Sequence, residues 1–286
     1  MSSCMRSTRK FVADDRGLSI VELLFSITLS AIVMAGTASV FLAGKTHARN
    51  QALEIETTQA ARAAVDAMIR ELRLSGACLP VTGTFMSLAG VDSGTDDELT
   101  TRTGLTRDDL SCISSATLSA VPASVTQTIE VVSVEGFETG MRAYIRHPNG
   151  TGEFFAVTAI DATANKLGHD VTFQSAYPAT SGIYAVLERS FFLDHWDFGR
   201  GLLPQLMIET DAGTPRSFAV GIEQLNIQYE LTTGDVVDLP ADDAEWSLVN
   251  RVLVSATARS ERPRSDGEYA RRTVSVGIKP RNLISN

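Results

Sequence analysis

The stretch that decides the fold is RGLSIVELLFSITLSAIVMAGTASVFLAGK, residues 16–45. Leu18–Gly44 is a stretch of 27 residues that are all apolar or small except for one ionisable residue, Glu22. About 20 such residues are enough to cross the hydrocarbon core of a bilayer as a helix. The segment exceeds the apolar core of an ordinary secretory signal, which is ~7–15 residues, and no small-x-small cleavage site follows it. It therefore predicts a membrane-spanning helix that anchors the chain.

The rest of the chain has the composition of a soluble, acidic domain. The 286 residues carry a net charge of −9, with 44% hydrophobic and 21% charged residues, which is ordinary for a globular protein. An acidic surface argues against nucleic acid as the main partner, because nucleic-acid binding requires clustered Lys and Arg. Basic residues in the leader, residues 1–17, favour a cytoplasmic N-terminus with the acidic domain outside.

Three cysteines are present, Cys4, Cys78 and Cys112. Cys4 precedes the apolar segment, so an exported domain contains Cys78 and Cys112 alone. These two residues are expected either to form a disulfide or to remain as two buried, reduced thiols. A disulfide between them would contribute roughly 3–4 kcal/mol in the chain-entropy model.

The junction between the leader and the apolar segment resembles the type IV prepilin signature. Its parts are a short basic leader ending in Gly17, a hydrophobic residue, Leu18, and then Glu22 within an apolar helix. The resemblance implies that prepilin peptidase cuts between Gly17 and Leu18 and methylates the new amino terminus of Leu18. Most members of the family have Phe at that position. Cleavage would also remove Cys4.

Glu22 is costly in lipid, since a charged side chain at mid-bilayer costs about 2.5–3.5 kcal/mol on insertion scales. A tolerated carboxylate near the interface is one interpretation. The resemblance implies another, in which Glu22 pairs with the N-terminal amine of Leu18 on the same or a neighbouring subunit. In a bundle of apolar helices such a pair is far stronger than in water. It would then recruit the subunit into a filament and set its register.

The helical pattern continues through residues 45–76 as an amphipathic helix. The apolar positions recur at three- and four-residue steps, at Ile55, Ala61, Val65, Met68, Ile69 and Leu72. Gly76 and Pro80 are stop signals. The helix end, with Arg70, Leu72, Arg73 and Gly76, resembles the PilW group of minor pilins, and J-type pseudopilins of type II secretion share a similar end.

Residues 77–286 predict a β-rich head. Residues 82–126 read as loops with short strands, and strands separated by Gly, Pro and Asn turns are expected from residue 129 onward. The predicted strand segments are 129–135, 141–147, 153–161, 183–195, 215–231, 247–260 and 269–282. Residues 129–190 suggest a small inserted β-module, and residues 215–286 resemble the C-terminal strands of PilW proteins. The expected fold class is α+β, a long N-terminal helix packed on a β-rich head. The resemblance implies the ladle shape of type IV pilins.

No catalytic or metal site is expected in the head. The four histidines, His47, His147, His169 and His195, lack an H-x-x-x-H or C-x-x-C partner, so they are expected to be surface or loop groups. The acidic clusters TDDE, residues 95–98, and PADDAEW, residues 240–246, lack the spacing of a calcium loop and predict solvated loops. The expectation is therefore a protein that is not an enzyme and needs no cofactor.

The resemblance implies a minor pilin that primes or joins a type IV pilus. Its partners would be prepilin peptidase, other minor and major pilins, an inner-membrane assembly platform, and membrane lipid before assembly. The implied location is the inner membrane, crossed once with the head in the periplasm, and the pilus after assembly. Two alternatives stay open: a J-type minor pseudopilin of a type II secretion system, and a signal-anchored periplasmic binding domain that never polymerises.

Overall fold

A computed structural model describes residues 19–80, 83–122, 128–197, 202–211, 213–280 and 282. The first element is the helix α1, Ile20–Leu74, which runs for 55 residues without interruption. Its first turn is closed by the Ser19 carbonyl, which accepts hydrogen bonds from the N–H groups of Glu22 at 3.0 Å and Leu23 at 3.1 Å. The chain divides into two units, residues 1–51 and residues 52–286, so the division falls within α1.

The described part of the second unit continues with fourteen strands and one short helix. Their bounds are β1 Leu88–Val91, β2 Glu98–Gly104, β3 Ser114–Ala116, β4 Thr128–Glu130, β5 Arg142–Arg146, β6 Gly152–Asp161, β7 Lys166–His169, β8 Gly182–Asp197, β9 Leu202–Thr210, β10 Arg216–Val220, β11 Ile222–Leu231, β12 Val236–Val237, α2 Asp243–Ser247, β13 Val249–Pro263 and β14 Tyr269–Ile278.

The larger sheet is antiparallel and is organised around β8. Its strand order is β1-β2-β8-β5-β6-β7-β4, while β3 and β9 also pair with β8 and β10 pairs with β9. Because β8 is 16 residues long, it pairs with β3 and β5 near its start and with β2 and β9 near its end.

The smaller sheet has the order β12-β11-β13-β14 and is also antiparallel. Its strands alternate between buried and more exposed residues, as expected for a sheet with one face on the core and one in water. Asp97, which is 2% exposed, joins the two sheets. Its backbone N–H donates to the Leu225 carbonyl, and its carboxylate accepts from the N–H of Ile227 at 2.7 Å.

The C-terminal half of α1 packs into the main hydrophobic core. Its buried residues lie at three- and four-residue steps: Leu53, Thr57, Ala61, Ala64, Val65, Ala67, Met68 and Leu72. Both sheets contribute to this core, the larger through residues such as Phe191 and the smaller through residues such as Val254. Glu71 of this helix forms an ion pair with Arg189. Glu54 forms two, with Arg264 and with Arg272, both at 3.0 Å.

A second hydrophobic cluster is formed by residues between 113 and 185 and includes no residue of α1. It is built from strands β4 to β8 and the loops around them, and its members are Ile113, Val121, Ile129, Val131, Phe137, Ala143, Ile145, Phe155, Val157, Leu167, Phe173, Tyr177, Ile183 and Ala185. The cluster overlaps the region in which the sequence suggests an inserted β-module.

The end of α1 is tied to the larger sheet by a tight turn and a disulfide. Gly76 takes a φ of +78°, and a Cβ there would lie 2.4 Å from the Asn282 carbonyl oxygen. Cys78 is bonded to Cys112 with a Cα–Cα distance of 5.4 Å, which confirms the predicted disulfide. Gly104 lies against this bridge, because a Cβ at that position would lie 2.6 Å from the Cys78 Cβ.

The predicted α+β class is confirmed, while some local predictions are wrong. Ile55 is 58% exposed, although it was expected on the buried face of α1. It precedes the buried Thr57 by two residues, and two residues of a helix correspond to a rotation of about 200°, so the two side chains lie on opposite sides. The strand expected over residues 129–135 ends at Glu130. Two strands were not predicted: the short β7, and β9, which includes Pro204.

Candidate functional site

The apolar segment of α1 is the largest uncovered hydrophobic surface in the described chain. Every residue from Ser19 to Arg49 is exposed, including large side chains such as Ile20 at 77% and Phe41 at 71%. Among the described residues, α1 is the one helix that is long and apolar enough to cross a membrane. Soluble proteins rarely expose a continuous apolar surface of this size, so the segment needs an apolar environment.

Glu22 lies in the first turn of α1 with its side chain exposed. An acidic residue at a helix N-terminus is favoured by the helix dipole. The hydroxyl groups near it are satisfied within the helix: Ser26 Oγ donates to the Glu22 carbonyl at 2.8 Å, and Thr28 Oγ1 donates to the Phe25 carbonyl at 2.9 Å. The carboxylate is thus the charged group of an otherwise apolar surface.

The proposed cleavage site, Gly17 and Leu18, lies outside the described residues. Nothing in the fold therefore bears on the prediction that the chain is cut between them. Ser19 is the first residue described, and α1 begins directly after it.

The head contains one cluster of paired charges that joins three strands of the larger sheet. Glu188 of β8 accepts hydrogen bonds from Arg102 of β2 at 2.6 Å and from Arg142 of β5 at 3.1 Å. Both guanidinium groups also lie about 5 Å from the centre of the Phe154 ring. Each charge has a partner of opposite sign, so the cluster holds the strands together.

A cavity of about 310 Å³ adjoins this cluster. Asp211, on its wall, accepts a hydrogen bond from the Glu188 N–H at 2.8 Å, and burial raises the pKa of its carboxyl group. Asp170, also on the wall, accepts from the Ala156 N–H at 3.0 Å. Both carboxylates on the cavity wall thus bind backbone N–H groups of neighbouring strands. Its lining is Gly140, Arg142, Phe154, Phe155, Ala156, Asp170, Val171 and Asp211.

Two groups expected on the surface or in solvated loops are buried, so these predictions are wrong. His169 is 6% exposed, and its Nδ1 donates to the Val171 carbonyl at 2.8 Å. Asp97 of the TDDE cluster is buried, and its carboxylate accepts a hydrogen bond from the Ile227 N–H, which would otherwise need a backbone carbonyl as its acceptor. In PADDAEW, Asp242 instead caps α2 by accepting from the Glu245 N–H at 2.9 Å.

No group of three or more His, Cys, Asp or Glu side chains is placed to hold a metal ion within the described ranges. No protein-family model matches the chain, and no curated protein is significantly similar to it. The candidate site is therefore the apolar segment of α1 with Glu22.

Proposed function

We propose that the chain is a minor pilin of a type IV pilus, cut by prepilin peptidase between Gly17 and Leu18 and retained in the filament by its apolar helix. The observation that carries the proposal is the order of features at the N-terminus. A basic leader ends in Gly17, and a stretch of 27 residues follows in which Glu22 is the one ionisable group. A simple anchor needs neither the glycine nor the carboxylate.

The exposure of the apolar segment supports assembly. Its side chains have two possible environments, lipid before assembly and the helices of other pilins afterwards. Both cover the same surface, so a subunit can leave the bilayer without exposing that surface to water. Transfer between lipid and a helix bundle then depends on packing and polar contacts, because lipid tails are as apolar as the side chains.

The small residues of the segment favour such packing. Ala31, Ala35, Ser39 and Ala43 follow one another at four-residue steps in α1 and are all exposed. Residues four apart lie on the same side of a helix. Small side chains in this pattern let two helix backbones approach closely.

Glu22 supplies the polar contact. In lipid its carboxylate carries a desolvation cost, and in the filament the methylated amine of Leu18 would offset that cost. The gain occurs at one axial position only, so the pair selects a register for the incoming subunit. The mechanism is association, and it needs no catalytic residue in the head.

The head supports the proposal through the way α1 enters it. Residues 53–72 of α1 supply a face of the main core, and the disulfide stabilises the turn directly after the helix. A disulfide is suited to an oxidising compartment such as the periplasm. The periplasmic location of the head and the ladle shape of pilins belong to this proposal.

The deciding experiment is mass spectrometry of the intact chain and of its N-terminal peptide after extraction from membranes. We expect the chain to begin with N-methylated Leu18. Gly17→Val should leave the leader attached, because a bulky side chain replaces the glycine at the cut. Gly36→Val is the matched control, since a Cβ there meets no atom within 4 Å, and it should be cut normally.

A wild-type chain that still begins at the leader would overturn the proposal and leave a signal-anchored domain. A processed chain that is found in the sheared pilus fraction, and that disappears from this fraction when the major pilin is deleted, would assign the chain to the pilus. A processed chain that is needed for secretion and never found in pili would assign it to a type II secretion system.

A further inference from the structure

The cavity in the head lies at a break in the larger sheet. β8 pairs with β5 as far as Val186, opposite Arg142, and with β9 from Arg189, opposite Thr210. β2 pairs with β8 across both of these positions, so β5 and β9 lie end to end along the other edge of β8. Arg142 at the start of β5 and Asp211 just after β9 line the cavity at this break.

A further part of the cavity wall comes from β6 and the residues that follow β7. Ala156 of β6 lies opposite Arg142 of β5. Asp170, which directly follows β7, is fixed beside Ala156 because its Oδ1 accepts from the Ala156 N–H at 3.0 Å. Phe154 and Val171 add apolar surface to the wall. The cavity of about 310 Å³ therefore combines charged and apolar groups.

The two carboxylates on the wall are not neutralised by a cation. Within the described part of the chain, Asp170 and Asp211 form no ion pair, and each accepts a backbone N–H through Oδ1. Arg142, the cation among the lining residues, is already paired with Glu188 at 3.1 Å and lies 5.0 Å from the centre of the Phe154 ring. A carboxylate has about four acceptor positions, so both Asp residues keep acceptor capacity for a ligand.

Asp211 is held firmly in this position. Its backbone N–H donates to the Glu188 carbonyl at 2.9 Å, and its Oδ1 accepts from the Glu188 N–H at 2.8 Å. Burial and the charge of Glu188 raise the pKa of the Asp211 carboxyl group, while Arg142 and Arg189 oppose the shift in part. A cation in the cavity would favour the charged form of this carboxyl group.

The wall favours an organic cation over a metal ion. In the ranges that the structure describes, no group of three or more His, Cys, Asp or Glu is placed to hold a metal ion. An ammonium group has three donors and no acceptor, so it can bind both carboxylates. Its aliphatic chain can lie on apolar surface such as that of Phe154 and Val171. Apolar walls with a few polar groups are the usual form of a small-ligand site.

We propose that the cavity binds a primary alkylammonium group, whose N–H donors bind Asp170 and Asp211 and whose aliphatic chain contacts Phe154 and Val171. The positive charge of the group complements the two carboxylates. Arg142 does not take its place, because the guanidinium group is held by Glu188. The ligand is either the side chain of a lysine in a partner protein or a small free amine, and both present the same chemistry to the wall.

The test measures binding to the full chain in a non-ionic detergent by isothermal titration calorimetry, with the signal from detergent alone subtracted. Pentylammonium should bind at least ten times tighter than pentanol, which has the same chain without the charge. Asp170→Asn and Asp211→Asn each keep the oxygen that accepts a backbone N–H, and each should weaken binding of pentylammonium at least fivefold. Asp161→Asn is the matched control and should bind like the wild type. Asp161 also accepts a backbone N–H, from Thr163 at 2.9 Å, but does not line the cavity.

Equal affinity of the wild type for pentylammonium and pentanol would overturn the proposal without any variant. Full binding of pentylammonium by the folded variants Asp170→Asn and Asp211→Asn would also overturn it, since the ligand would then bind elsewhere. The amide-blocked amino acid Nα-acetyl-lysine N-methylamide distinguishes the two sources. Binding as tight as that of pentylammonium supports a lysine of a partner protein, and binding at least tenfold weaker supports a small free amine. The proposal rests on the head alone, so an uncut N-terminus would leave these outcomes unaffected.

Discussion

Cys78 and Cys112, which are separated by 34 positions in the sequence, connect the turn after α1 to the loop before β3. The bond therefore encloses β1 and β2, which lie beside the end of the helix. It closes a loop that would otherwise be free in the unfolded chain, and this restriction is the main way in which a disulfide stabilises a fold.

Replacing both cysteines, Cys78→Ser with Cys112→Ser, should lower the free energy of unfolding by about 3–4 kcal/mol. Denaturant unfolding of the full chain in non-ionic detergent measures the change. Reductant should destabilise the wild type by a similar amount and leave the double variant unaffected. A wild type that is indifferent to reductant would show that the bond contributes little.

Glu22→Gln should leave membrane insertion intact and sharply reduce incorporation into pili. The amide keeps the size of the side chain and removes the charge that we propose pairs with the amine of Leu18. Glu56→Gln is a matched control, because Glu56 is also exposed on α1 but lies beyond the apolar segment. The amounts in membranes and in sheared pili are measured by immunoblot, and normal incorporation of Glu22→Gln would reject this role.

Met68→Ala should destabilise the head by about 2–5 kcal/mol, the usual cost of removing a large side chain from a packed core. Met68 is fully buried between α1 and the sheets. Ile55→Ala, on the exposed side of the same helix, should change the free energy of unfolding by no more than about 0.5 kcal/mol. Equal effects of the two substitutions, measured by denaturant unfolding, would contradict the described packing of α1.

The head should lose stability as the pH falls from about 7 toward 5. Burial lowers the pKa of His169, and the nearby Val171 carbonyl and Asp170 oppose that shift only in part. The unfolded chain, with a His pKa near 6.5, therefore binds more protons than the folded chain below that pH.

His169→Gln should remove this part of the pH dependence, and thermal unfolding at several pH values measures it. The amide also retains a donor for the Val171 carbonyl. His47→Gln is the control, because His47 lies on the exposed part of α1, and it should keep the wild-type profile. A His169→Gln profile parallel to that of the wild type would show that another group causes the loss.

The apolar segment, the long helix and the disulfide were predictable from sequence because each depends on composition, periodicity or a count. The strand β9 was not, since Pro204 within a short apolar run argues against a strand. Pro204 is accommodated opposite His195 of β8, and its carbonyl accepts from the Gly221 N–H. The place of β14 at the end of the smaller sheet was equally unpredictable, because sequence alone does not show which strands become neighbours.

Alternate residues of β14 lie on opposite sides of the smaller sheet. Val274 and Val276 pack against the core, while Thr273, Ser275 and Gly277 lie on the exposed side of the strand. Substitutions of the exposed residues Thr273 and Ser275 should therefore change the outer face of the sheet with little effect on folding. One strand thus combines an inner side that is fixed by the core with an outer side that is open to change.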